Sequence, residues 1–215
     1  GSSCALLPTN GVPVVGIPMV EYPATSPYVV GVGGTSAIAN AADASYVGEA
    51  AWNAGGGGLS QFENSTSWQQ TAQLTSTGLA ATNLRGLPDI AMAGDAVAGA
   101  YNVYGPNIPG VGDCSTGCAI GGTSESSPLA MGAYARLVSA HGGALGYAAP
   151  LLYANYVANQ NNATIVNGPP PTQALGGFHD IITGANGTYT ALPGYDYTTG
   201  LGTLDITLMN AQIGH

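Results

Sequence analysis

Apolar residues in this chain come in short runs closed by glycine, not in long helical stripes. Tyr28-Val29-Val30-Gly31-Val32-Gly33-Gly34-Thr35 is continuous and β-branched, the pattern of a buried strand in a parallel sheet. Leu87-Pro88-Asp89-Ile90-Ala91-Met92 predicts another strand or strand end, and residues 98–104 predict a hairpin after it. Residues 1–20 are rich in Gly, Pro and Val without helical period; residues 36–54 are polar and alanine-rich. Residues 61–86 predict surface loop with a short amphipathic helix. Two longer helices follow. One lies behind Gly121–Pro128 and ends at His141-Gly142-Gly143, where glycine supplies the C-terminal cap. The other runs from Ala148 to about Asn159, and after Pro169-Pro170-Pro171 the tail is loop-rich. No internal repeat or obvious domain boundary interrupts the 215 residues.

The turn before the first long helix carries the candidate chemistry: Gly121-Gly122-Thr123-Ser124-Glu125-Ser126-Ser127-Pro128. Paired glycines allow close backbone approach. The Thr-Ser pair can cap the helix, and Pro128 is expected within its first turn. A serine at such a start presents its hydroxyl outward, with free N–H groups and the helix dipole facing any oxyanion formed beside it. Acyl transfer from a serine nucleophile needs this. Glu125 is explained by the same dipole, because adjacent helical side chains do not face each other. His141 reads as a capping or surface residue, and His179 belongs to the tail.

Charge narrows the setting. Only 6% of residues are charged, against roughly 25% in ordinary soluble domains. Arg85 and Arg136 are the sole basic residues besides three histidines, and the formal net charge is −9. Near pH 3 most carboxylates would be neutral, their ordinary pKa values being about 4, and few cations would remain to repel one another. The composition suits an acidic exterior and argues against nucleic acid as a partner. No apolar run approaches the ~18 residues of a membrane span. No signal peptide is visible, so the chain reads as already processed and secreted.

Cys114-Ser115-Thr116-Gly117-Cys118 is a short loop in which two thiols can close a disulfide; Cys4 is left over and suggests a partner on another segment. A metal site on the pair would need further ligands nearby. Asn64, Asn162 and Asn186 head Asn-x-Ser/Thr triplets, glycosylation sites in a eukaryote.

Five stretches, in order, resemble the sedolisins, the serine-carboxyl peptidases of subtilisin-like fold. They are Tyr22–Thr35, Glu49–Ser60, Pro88–Ala91, Gly121–Pro128, and a tail containing Asp180-Ile181, Gly194-Tyr195-Asp196 and Thr199–Gly202. Leu129 stands where ordinary subtilisins carry histidine. The resemblance implies a three-layer α/β fold with a mainly parallel sheet, of which residues 1–215 form the C-terminal part of one peptidase domain. It makes Ser124 the nucleophile, paired with a Glu base, an Asp four residues after that Glu, and an oxyanion Asp. A carboxylate base remains usable at pH 3–4, where histidine is protonated. Here the sequence departs from its family. Glu21, Glu49, Glu63 and Glu125 have Thr25, Asn53, Ser67 and Leu129 four positions on, and the first aspartate is Asp43. The acids are therefore expected on a separate N-terminal chain, without which this one should hydrolyse nothing.

The same resemblance implies one Ca²⁺ site formed by Asp180 and Asp196 with backbone carbonyls of Ile181, Leu192 and Gly194; hard oxygen ligands suit that cation. Gly56, Gly57 and Gly58 resemble a wall along which substrate peptide lies, and Gly122 and Thr123 adjoin the oxyanion. Two rival readings stand beside it: a subtilisin-type endopeptidase fragment, and a non-catalytic secreted module that binds peptide or glycan.

Overall fold

The computed structural model describes residues 20–213 apart from 73, 75–81, 100, 161–163, 167–169 and 171. Expectations for Cys4 and Asn162 fall outside the described residues.

Three parallel strands form the centre: β1 (Val32–Ala39), β5 (Ile90–Ala93) and β11 (Thr203–Leu204). Their registers run Val32↔Ile90 to Thr35↔Ala93, and Thr203↔Ala91. β2 (Tyr46–Ala51) folds back on β1 at one side; β10 (Phe178–Ile181), β9 (Thr172–Leu175) and β8 (Thr164–Val166) continue the sheet at the other, all antiparallel. The order is β2-β1-β5-β11-β10-β9-β8. The α/β class holds, but parallel pairing is confined to the centre, where the expectation was a mainly parallel sheet. Short returns make the difference, because a hairpin joins neighbours antiparallel whereas a parallel pair needs a long crossover. One such return is the Gly176-Gly177 turn, with both residues at positive φ.

β1 begins four residues later than the Tyr28–Thr35 run and extends four beyond it. Residues 61–86 hold more than loop and helix. β3 (Gly58–Asn64) pairs with β4 (Leu84–Leu87), with α1 (Ser67–Thr71) between them. β6 (Tyr101–Ile108) and β7 (Gly112–Ile120) form a hairpin, and a Cys114–Cys118 disulfide closes a short loop within β7.

The core lies between sheet and helices. It packs Ile90, Phe178 and Leu204 against Leu137 of α2 (Thr123–Ala140), Leu152, Tyr153 and Tyr156 of α3 (Ala148–Asn159) and Met209 of α4 (Ile206–Gln212). Each such side chain contributes about 1.5–3 kcal/mol by leaving water. α2 is covered on one side alone: it buries Ser126, Ala130 and Leu137, whereas Met131 is 70% exposed.

Beneath the loop from β4 to β5 lies a fully buried ion pair. Arg85 Nη1 and Nη2 donate to Asp89 at 2.9 and 2.6 Å, and the carboxylate also accepts the Gly31 N–H at 2.7 Å and the Tyr153 hydroxyl at 2.9 Å. Burial disfavours the Arg85 charge, but its hydrogen bonds to Asp89 and that carboxylate's charge more than offset this, raising its pKa.

Candidate active site

Ser124 is the second residue of α2, and its hydroxyl faces solvent. Among the described residues it makes no hydrogen bond to a carboxylate or imidazole. The helix start differs from the capping expectation: the N-cap is Gly122, at φ 106°, and no side chain caps it. That backbone lies in the region only glycine adopts easily, so the Thr-Ser pair is pushed one step inside the helix. Gly122 N–H donates to the Gly94 carbonyl at 2.5 Å, and Glu125 N–H donates to the Gly122 carbonyl at 2.8 Å. The buried Ser126 hydroxyl lies 3.1 and 3.0 Å from the carbonyls of Met92 and Ala93. A Cβ on Gly121 would come within 2.4 Å of the Ala96 nitrogen. The helix mouth is therefore fixed to the chain leaving β5, and the amides of Thr123 and Ser124 precede the first intrahelical bonds.

Pro128 is the sixth residue of the helix, deeper than the first turn in which it was expected. With no N–H it cannot bond the carbonyl of Ser124, four residues earlier. The backbone of Ser124 is thus less tied to the helix than its neighbours.

Thr123, Gly56 and Gly57 meet at a cavity of ≈ 170 Å³ whose other walls include Val32, Leu87, Pro88 and Glu21. The glycine stretch is less open than the expected wall. Gly57 and Gly58 are buried, and a Cβ on Gly57 would stand 1.7 Å from the Tyr197 carbonyl oxygen. Gly58 pairs with Leu87 and faces the Tyr189 ring. Close packing against the tail accounts for these two glycines.

In the tail, Gly194 bonds Asp180 and Leu192 bonds Asp196. Asp180, on β10, and Asp196 are buried, and the Asp196 charge adds to the cost of ionising Asp180. Burial pushes Asp180 up to about 8, partly countered by the Gly194 N–H and reinforced by the Asp196 charge. Asp196 is raised too, again chiefly by burial. Its oxygens accept the N–H groups of Thr198 (2.7 Å), Thr199 (2.8 Å) and Leu192 (2.9 Å). Gly194 N–H donates to Asp180 Oδ2 at 2.8 Å, while Asp180 Oδ1 is buried with no hydrogen-bond partner among the described residues. Leu192 and Gly194 thus meet these carboxylates through their N–H groups. The described residues contain no group of three or more His, Cys, Asp or Glu that could hold a metal. The orphaned Oδ1 beside a second buried carboxylate nonetheless fits a hard cation.

Other acids are engaged elsewhere. Glu49 is buried and accepts the hydroxyls of Thr35 (2.6 Å), Tyr46 (3.2 Å) and Thr203. His179 stacks on Tyr46 with ring centres 4.0 Å apart and lies 3.8 Å from Asp205. Glu21, on the cavity wall, was singled out in the sequence only for lacking an aspartate four positions on; nothing local marks its neighbour across a hundred residues. Of the glycosylation triplets, Asn64 is exposed but Asn186 is buried. No helix among the described residues is long and apolar enough to cross a membrane.

No family model matches the chain. Sedolisin of Pseudomonas sp. (strain 101) is 36% identical over 208 residues, covering 90% of this chain and 30% of that protein. Kumamolisin of Bacillus sp. (strain MN-32) is 35% identical over 212 residues, covering 92% and 33%. Xanthomonalisin of Xanthomonas sp. (strain T-22) is 32% identical over 213 residues, covering 89% and 22%. The chain thus spans a third or less of the length of these relatives. In three dimensions it is similar to Pseudomonas sedolisin, a serine-carboxyl proteinase solved with two molecules of pseudo-iodotyrostatin. The TM-score is 0.69 at 32% identity, over 89% of this chain and 48% of that one.

Proposed function

We propose that the chain is a sedolisin, the C-terminal portion of the catalytic domain, and that it carries the nucleophile of an acid-active, secreted serine-carboxyl endopeptidase; its 32–36% identity to sedolisin, xanthomonalisin and kumamolisin supports the reading. The observation that carries the reading is the exposed hydroxyl of Ser124 in the first turn of α2, beside a side-chain-sized cavity. Ser124 Oγ attacks the peptide carbonyl carbon and gives its proton to a glutamate base. The oxygen of the tetrahedral adduct is met by the first-turn amides of α2 and by a protonated aspartic acid. The C–N bond breaks, the amine leaves with a proton, and water releases the acyl group by the same path reversed. The glutamate, its aspartate partner and the oxyanion acid come from polypeptide outside these residues, on an N-terminal chain of the same enzyme. The one-sided burial of α2, with Met131 exposed, supports further polypeptide packing there. Calcium, held by Asp180 and Asp196 with Ile181, Gly194 and the Leu192 region, would bind the tail loops together. In the full-length protein, Ser124→Ala should abolish peptide hydrolysis near pH 4 without altering the melting temperature. A peptide aldehyde should modify Ser124. Undiminished activity in the Ser124→Ala protein would refute the assignment, and an optimum near pH 7 would point to a histidine base instead.

A further inference from the structure

Resting on the peptidase reading of Ser124, we propose that Asp95, clasped to Ser36, is a positioning residue for the reaction: it holds the loop after β5 against β1, and the mouth of α2 rests on that loop. The Gly122 amide, the Ser126 hydroxyl and the backbone of Gly121 all seat on residues 92–96. Residues 94–99 are in turn stapled to β1. The amides of Gly94 and Asp95 donate to the Thr35 carbonyl at 3.0 and 3.2 Å, and the Ala37 amide donates to the Ala98 carbonyl at 3.2 Å. A Cβ on Gly99 would stand 3.1 Å from that of Ala37. Between these main-chain bonds sits a side-chain clasp. The Ser36 hydroxyl donates to Asp95 Oδ2 at 2.6 Å, and the Val97 amide donates to Oδ1 at 2.9 Å.

One carboxylate thus joins β1 to the turn on which the helix mouth lies. Without it the main-chain bonds still hold the loop, so the fold survives. The loop loses its tie beside Gly94, however, whose carbonyl receives the Gly122 amide. Ser124 follows two residues later, with its own carbonyl released from the helix by Pro128. A displacement of ~1 Å at a reacting group costs on the order of a hundredfold in rate. The clasp also suits acid. Hydrogen bonds, first from Ser36 and then from the amides of Val97 and Ala98, outweigh desolvation and hold the Asp95 carboxyl below the usual aspartate range. Among the described residues no neighbouring charge adds to these. Because the folded value is depressed, the charged clasp is intact above the ordinary aspartate pKa of about 3.9 and is lost as pH falls through the lower one.

The test compares full-length wild type with Asp95→Ala, Asp95→Asn and Ser36→Ala by kcat, KM, melting temperature and amide exchange. Asp95→Ala and Ser36→Ala should each lower kcat about tenfold, the scale of one charge-assisted hydrogen bond, with KM little changed. The double alanine variant should lose no more than Asp95→Ala alone, since both remove the same contact. Asp95→Asn keeps an acceptor for Val97 and offers its amide to the Ser36 oxygen, so it should recover most of kcat. Its clasp does not titrate, so the ratio of its kcat to that of wild type should rise as pH falls from about 5 to about 2. A flat ratio overturns the proposal, and so does wild-type kcat in an Asp95→Ala protein that melts normally. Should Asp95→Ala fail to fold, Ser36→Ala is read the same way. Amide exchange at residues 122–124 reports the helix mouth without turnover and should quicken in Asp95→Ala. Unchanged exchange there would overturn the clasp, whereas quickened exchange in a protein whose hydrolysis survives Ser124→Ala would overturn the nucleophile assignment alone.

Discussion

Asp89→Asn replaces the centre of a buried charge network by an isostere, so it removes charge and one acceptor without opening a cavity. Asp89 and Arg85 are both fully buried, and five donors converge on the carboxylate: both terminal nitrogens of Arg85, the Gly31 amide, the Tyr153 hydroxyl and, at 3.5 Å, the Gln69 amide nitrogen. After the exchange Arg85 keeps a buried positive charge with no anion beside it. Removing one partner of a buried pair costs about 3–5 kcal/mol. For a domain of roughly 200 residues, each kcal/mol lowers the melting temperature by about 2–4 °C, so the full-length Asp89→Asn protein should melt roughly 6–20 °C lower by calorimetry. A paired replacement, Arg85→Met with Asp89→Leu, leaves no stranded charge and should recover most of that loss, because apolar substitutes for buried pairs are often neutral. Wild-type melting in the single variant would refute the reasoning. So would a paired variant less stable than Asp89→Asn.

Chelation should lower the melting temperature of the full-length protein, and Asp180→Ala should remove that sensitivity; equal chelator response in both would sink the tail site. Gly57→Ala forces a methyl against the Tyr197 carbonyl and should cost about 1–3 kcal/mol, the usual range for overpacking, with wild-type stability as the contrary result. Replacing Cys114 and Cys118 by serine opens a small loop worth about 2 kcal/mol on chain-entropy grounds. Amide exchange should then quicken in β7, residues 112–120, before the global melt moves; unchanged exchange there would contradict a local constraint by the disulfide.

The two long helices were legible because their signals are local. Ala148–Asn159 has the predicted bounds, and α2 stops before the His141-Gly142-Gly143 segment that foretold its end. The start of α2 was harder. Thr and Ser look like caps by type, but the backbone of Gly122 holds a conformation that assigns the cap to glycine. Strand β1 was displaced towards its C-terminus because its limits are set by pairing with β2 and β5, partners that a single run of valines does not encode. At the site, Ser124 lies where the motif put it. Asp196 accepts the Leu192 N–H and Asp180 the Gly194 N–H, contacts that residue type cannot fix. The Arg85–Asp89 pair had a visible spacing of four residues, but only the fold reveals that both ends are dry. Glu21 and Thr123 are neighbours at the cavity through tertiary folding alone.

Asn186 sits inside the tail: its side-chain oxygen accepts the Tyr189 N–H at 3.1 Å, its amide nitrogen lies 3.4 Å from the Tyr197 carbonyl, and the residue is 4% exposed. A sugar on that nitrogen has no room in the finished molecule. Production in a host that decorates nascent chains would set oligosaccharide transfer at this triplet in competition with closure of the tail, and chains tagged first would be unable to complete their fold. Asn186→Gln would block the tag but crowd the same buried space, so Thr188→Ala, which destroys the acceptor triplet while keeping the asparagine, is the sounder choice for a recombinant source.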